Sequence, residues 1–263
     1  MNAKPMNERP ILFSTPMVQA NLYGRKTMTR RICKTKLHKH KPTGDVFFDS
    51  DGKCEIIQFW VKGVKDIVTI KCPYGQPDDL LWVRETFFDA RPFKSAPLFQ
   101  NGSDFYYKSN GSFIGDHKWK PSIHMPKSAS RIWLQVEEIR VEQLNEISEE
   151  DAIAEGILSK KIQNCFWYDD YLQPNTFPHA NPVDSFKSLF LSINGKPKPQ
   201  REFGEKGKIV SYTAIAWDRQ DFDINWAKYY GTYRNKPLEV IINPWVWVVK
   251  YKVLSTTGKP ENV

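Results

Sequence analysis

Between residues 24 and 31 the chain reads Gly24-Arg25-Lys26-Thr27-Met28-Thr29-Arg30-Arg31, so four cations and two threonine hydroxyls crowd one short loop. Charges this close repel one another unless water or an anionic partner offsets them. A fold containing this loop must bring carboxylates to it or present it to a polyanion. The residues before it predict a short helix, with Ser14 or Thr15 as cap, Pro16 at its first position, and Val18 and Leu22 on one face. Gly24 suits a left-handed stop after Tyr23, so the basic run begins where the chain leaves the helix.

The rest of the chain reads mainly as strands. Pro10-Ile11-Leu12-Phe13 feeds the first helix, and Glu55–Val61 and Asp66–Ile70 have strand composition between glycine turns. In Leu80–Phe87, period-two alternation places Leu81, Val83 and Glu85 on one face and Trp82, Arg84 and Thr86 on the other. Arg131–Val141 begins as an apolar run and ends in alternation, the pattern of a central strand running out to an edge. Leu238–Ile242 and Asn243–Tyr251 read as closing strands. With 18 Pro against 14 Gly and 16 Phe, 11 Tyr and 9 Trp, the composition fits an aromatic-rich sheet core and not a helical bundle.

Two further helices are predicted. Pro182–Ile193 has helical spacing through Phe186, Leu189, Phe190 and Ile193, and Asn194-Gly195 ends it. The other starts at Ser148, which can cap it, with Asp151 returning the bond and Glu149 and Glu150 suiting the helix dipole. Gly156 stops it. Glu155 is thereby left at the carboxyl end, where an acid opposes the dipole and calls for a cation.

The net charge of +8 favours an anionic partner. Four scattered cysteines, with no Cys-x-x-Cys pair, suggest neither a disulfide framework nor zinc. His38-x-His40 lies in a lysine-rich run and reads as a solvated face, so no metal is expected. No cofactor is expected either. No apolar leader and no apolar stretch of about 18 residues occurs, which predicts a soluble cytoplasmic protein with no membrane partner.

Several blocks together resemble the ASCH domain of the PUA-like superfamily: Gly24–Arg31 followed by Leu81-Trp82-Val83-Arg84-Glu85. Cys72-Pro73-Tyr74-Gly75, Lys120–Pro126, Ile147–Ala152, Ser192-Ile193-Asn194-Gly195 and Asn243–Trp247 look like a phage and prophage branch of that family. The resemblance implies an α+β fold, a mixed PUA-like β-barrel with flanking helices. On this reading residues 10–254 are one domain with insertions near 33–70, 88–119 and 196–238, and 1–9 and 255–263 are flexible.

The resemblance also implies a pocket for nucleic acid, RNA more than DNA, or for a modified nucleoside, in a bacterial or phage-infected cell. The preferred expectation is binding through Arg25, Arg30 and Arg31 of the loop and Trp82, Arg84 and Glu85 of the strand. One branch of the family hydrolyses the acetyl amide of N4-acetylcytidine with a Lys, a Thr and a Glu, which fall on Lys26, Thr29 and Glu155. That makes an amidohydrolase the alternative. Crowding by arginines lowers a lysine pKa and frees it as a base, a Thr hydroxyl can attack, and a Glu can protonate the leaving amine. A structural ion pair between Glu155 and Lys26 or Arg30 is the competing reading. A ribonuclease using His124, Lys127 and Arg131, or an interaction protein of phage assembly, are the remaining classes.

Overall fold

The computed structural model describes residues 6–33, 56–60, 67–100, 102–112, 114–163, 165–174, 178–201 and 208–261. The run His38-x-His40 lies outside them. In chain order the first elements are β1 (Glu8–Leu12), α1 (Thr15–Leu22), β2 (Met28–Ile32), β3 (Ile56–Trp60), β4 (Ile67–Lys71) and β5 (Leu80–Arg84). Next come β6 (Phe87–Asp89), β7 (Phe105–Tyr107), β8 (Trp133–Gln143), α2 (Glu149–Ala154), β9 (Ser159–Ile162), β10 (Cys165–Tyr168) and α3 (Pro182–Asn194). The chain ends with β11 (Lys198–Arg201), β12 (Ile209–Ala216), β13 (Gly231–Tyr233), β14 (Lys236–Ile242) and β15 (Trp245–Ser255). The protein is α+β and mostly sheet.

The main sheet has the order β1-β5-β8-β15-β2, with β1 and β5 parallel and the other pairs antiparallel. Alternation along β15 divides the core. Trp247, Val249 and Tyr251 face a cluster with Ile11, Phe13, Val18, Leu81 and Val136, which α1 covers. Val246 and Val248 face Met28, Ala152, Phe186, Phe190 and Trp217, which α2 and α3 cover. The β8 reading agrees with its pairing: β15 runs along its length, but β5 meets only Trp133–Gln135.

A closed barrel is not what the hydrogen bonds make. Among the described residues β1 and β2 are the two edges of an open five-stranded sheet, and no backbone pairing joins them. A side chain spans part of this gap: Arg31 Nη2 of β2 donates to the Leu12 carbonyl of β1 at 2.6 Å, with its guanidinium over the Phe13 ring.

Strands also occur within the regions read as insertions. β3 and β4 form an antiparallel ribbon, β6 and β7 pair, and Lys198 to Ile242 contributes a second sheet of order β11-β12-β14-β13. At the carboxyl end Gly258 N–H donates to the Arg131 carbonyl at 2.9 Å, and Lys259 pairs with Glu8 at 2.8 Å. The first contact joins the tail to the residues before β8, and the second joins it to the first strand. No helix among the described residues is long and apolar enough to cross a membrane.

Candidate functional site: a buried lysine–glutamate centre

The loop takes its shape from two left-handed glycines. Gly24 (φ +69°) ends α1 as its position predicts, and Gly156 (φ +85°) ends α2. A Cβ on Gly156 would lie 2.9 Å from both the Ala20 and the Lys26 Cβ atoms, so only glycine lets the two helix ends meet. The Thr27 N–H donates to the Ala154 carbonyl at 2.9 Å and the Arg25 guanidinium to the Gly156 carbonyl at 3.0 Å, which stitches the basic loop to the end of α2. Glu155 is thereby carried to Lys26.

Lys26 Nζ donates to Glu155 Oε2 and to the Glu155 main-chain carbonyl, each at 2.7 Å. Both side chains are buried, with 0% of the lysine exposed. Burial is the main cause holding the Lys26 pKa below the ordinary lysine range; Glu155 opposes it, and Arg31 and Arg30 add to it. The other carboxylate oxygen, Glu155 Oε1, is buried without a hydrogen-bond partner, and Arg30 Nη1 stands 3.5 Å away.

Strand alternation separates the next residues. Met28 and Arg30 face the α2–α3 side, and Thr29 and Arg31 the Phe13 side. Arg30 is fully buried and spends its guanidinium on Glu142 Oε1 (Nε at 2.8 Å) and Asp151 Oδ2 (Nη2 at 2.6 Å). Thr29 is also buried and stands opposite Val249 of β15, on the face where Tyr251 and Phe13 pack. Tyr251 donates to Asn21 Oδ1 at 2.9 Å. The loop cations thus reach carboxylates and carbonyls of the chain itself, the partner that their crowding requires.

Of the remaining predicted residues, only Glu85 and Arg131 meet in a second network. Glu85 is buried and accepts from Arg131 Nε at 2.9 Å and Nη2 at 3.1 Å. Ser109 Oγ also donates to it, and the Arg131 guanidinium lies 4.1 Å from the Tyr107 ring centroid. Arg84 lies 5.5 Å from the Trp82 ring centroid and donates to the Ile123 carbonyl. Lys127 pairs with Glu8, and His124 is exposed in a short turn, Ser122–His124. His124, Lys127 and Arg131 therefore have separate partners or none in common.

The sequence reading did not find Glu142, Arg140 or Tyr251. Asp151 was expected to return the cap bond of Ser148; its N–H takes that cap at 3.2 Å, but its carboxylate goes to Arg30 and Arg140. Only the charged alternation Arg140-Val141-Glu142 hinted at this, and Glu142 lies 112 residues from Arg30. Among the described residues no group of His, Cys, Asp and Glu could hold a metal ion.

Comparison with known proteins adds no relative: no family model, curated protein or solved structure matches the chain.

Proposed function

We propose that the Lys26–Glu155 centre, together with the buried Thr29 three residues along the chain from Lys26, is an amide-hydrolysing site for a modified nucleoside of the N4-acetylcytidine kind, on an ASCH-like form of this α+β fold. The observation that carries the reading is the 2.7 Å contact between Lys26 Nζ and Glu155 Oε2. A lysine with its pKa lowered by burial takes a proton from the Thr29 hydroxyl or a water, and that oxygen attacks the acetyl carbonyl carbon. The tetrahedral intermediate collapses as the C–N bond breaks. Glu155 relays the proton held by Lys26 to the leaving amine, which departs as the free exocyclic amino group. In the Thr29 route water then hydrolyses the acyl ester and releases acetate.

A nucleic-acid clamp at the same loop has less support, because Lys26 and Arg30 are buried and paired with acids. Lys26 has no exposed surface, so substrate must displace what covers it. The test is incubation of purified protein with N4-acetylcytidine, with cytidine and acetate followed by chromatography. Turnover that disappears in Thr29→Val with melting temperature retained, and in Glu155→Gln at a temperature where its circular dichroism spectrum is that of the folded wild type, supports the reading. No turnover by the wild-type protein on acetylated nucleosides overturns it and leaves the pair a structural one.

A further inference from the structure

The second sheet carries a groove that the Lys26–Glu155 reading leaves unused. Its cavity of about 460 Å3 is lined by residues including Lys196, Pro199, Ile209, Tyr212, Tyr233 and Arg234. That volume lies within the roughly 300–1,000 Å3 of small-ligand sites. Tyr212 is buried and forms its floor. Tyr233 stands edge-on to Tyr212 at 5.0 Å, Tyr229 edge-on to Tyr233 at 6.0 Å, and Trp226 follows Tyr229 at 6.3 Å. Four rings therefore form a chain of contacts that starts at the groove, with Trp226 and Tyr233 also packed against the cluster holding Tyr212.

Cations accompany the rings. Arg234 lies 5.3 Å from the Tyr233 ring centroid, and Lys228 4.9 Å from that of Tyr229. Arg234 and Asn235 have φ of +51° and +59°, forming the two-residue hairpin turn between Tyr233 and its partner Lys236. This turn fixes the guanidinium at the tip beside the ring. Among the described residues no carboxylate pairs with Lys196, Lys228 or Arg234, although Lys187 and Arg219 nearby in sequence do have acidic partners. What the groove lacks is a strip of negative charge that also carries flat rings.

We propose that this groove binds single-stranded nucleic acid, with a base against the Arg234–Tyr233 pair, further bases along Tyr229 and Trp226, and phosphates at Lys196, Lys228 and Arg234. Aromatic rings take any base by stacking, and the cations follow the backbone. A duplex hides its base faces and fits less well. This site stands on its own geometry and does not depend on amide hydrolysis at Lys26.

Fluorescence anisotropy of the full chain with a labelled oligouridine of about 12 nucleotides tests it. The single strand should bind more tightly than a duplex of the same length, and more weakly as salt is raised. Tyr229→Ala and Tyr233→Leu should each weaken binding roughly 5- to 150-fold. The double variant Lys196→Glu/Arg234→Glu, at two exposed positions, should abolish binding with the circular dichroism spectrum unchanged. No binding at low salt, equal binding of duplex, or indifference to the double charge reversal overturns the proposal. So does self-association that the Arg234→Glu change removes while oligouridine fails to bind, since a second copy would then occupy the groove.

Discussion

Lys26 holds Glu155 twice, through the carboxylate and through the main-chain carbonyl of the same residue, at 2.7 Å each. The second contact places a cation at the carboxyl end of α2, where the helix dipole favours one. It therefore offsets the acid that sits there against the dipole. Removing one member leaves the other charged and buried. Lys26→Met is expected to lose about 3–5 kcal/mol in urea unfolding, and Lys26→Met/Glu155→Leu to recover most of it. Additive losses in that double-mutant cycle would show that the two side chains do not act as a pair.

The same pair has a pH signature. Burial lowers the Lys26 pKa in the folded state, so between that value and the unfolded value of about 10.4 the unfolded chain binds more protons. Stability from this group therefore rises with pH across that window. Urea titrations at pH 8 and 9.5 should show the wild type gaining on the double variant that lacks the pair. An unchanged difference would mean that the ammonium is not perturbed.

Gly156→Ala should cost roughly 1–3 kcal/mol, because it combines a left-handed backbone with a Cβ 2.9 Å from the Ala20 and Lys26 Cβ atoms. Gly24→Ala is the control: its φ is +69° but nothing lies within 4 Å of an added Cβ. It should cost only the strain, about 1 kcal/mol. Equal losses in thermal unfolding would remove the packing argument.

Tyr251 is fully buried, and desolvation, followed by the Glu155 charge, raises its pKa well above 10.0. An unfolded tyrosine ionises near 10, so above that pH the unfolded state binds fewer protons and stability falls. Tyr251→Phe should flatten the fall between pH 10 and 11 by up to about 1.4 kcal/mol per pH unit. It also forfeits the bond to Asn21, about 1 kcal/mol at neutral pH. A slope unchanged from wild type would place the ionising group elsewhere.

In the second network, Arg131→Met strands Glu85 in a buried site and should cost about 3–5 kcal/mol. Arg131→Lys should recover little, since a lysine cannot reproduce the two-pronged contact through Nε and Nη2. Full recovery by lysine in chemical unfolding would show that charge alone suffices.

What the sequence determined by itself was local. The cap at Ser148, the left-handed stop at Gly24, the stop at Gly156, and the alternation of Leu81, Val83 and Glu85 all follow from short-range sterics and hydrogen bonding, and all recur in the structure. Crowded charge at Arg25, Lys26, Arg30 and Arg31 demanded anions, and an acid at the end of α2 demanded a cation. Tertiary structure alone decided that these demands answer each other. Glu155 and Glu142 lie 129 and 112 residues from the cations that they meet, and no periodicity spans such distances. It also decided that, among the described residues, the main sheet is open between β1 and β2, with Arg31 reaching Leu12 where backbone pairing would close a barrel. Side-chain period reports which face a residue occupies; it does not report which strand lies next to it.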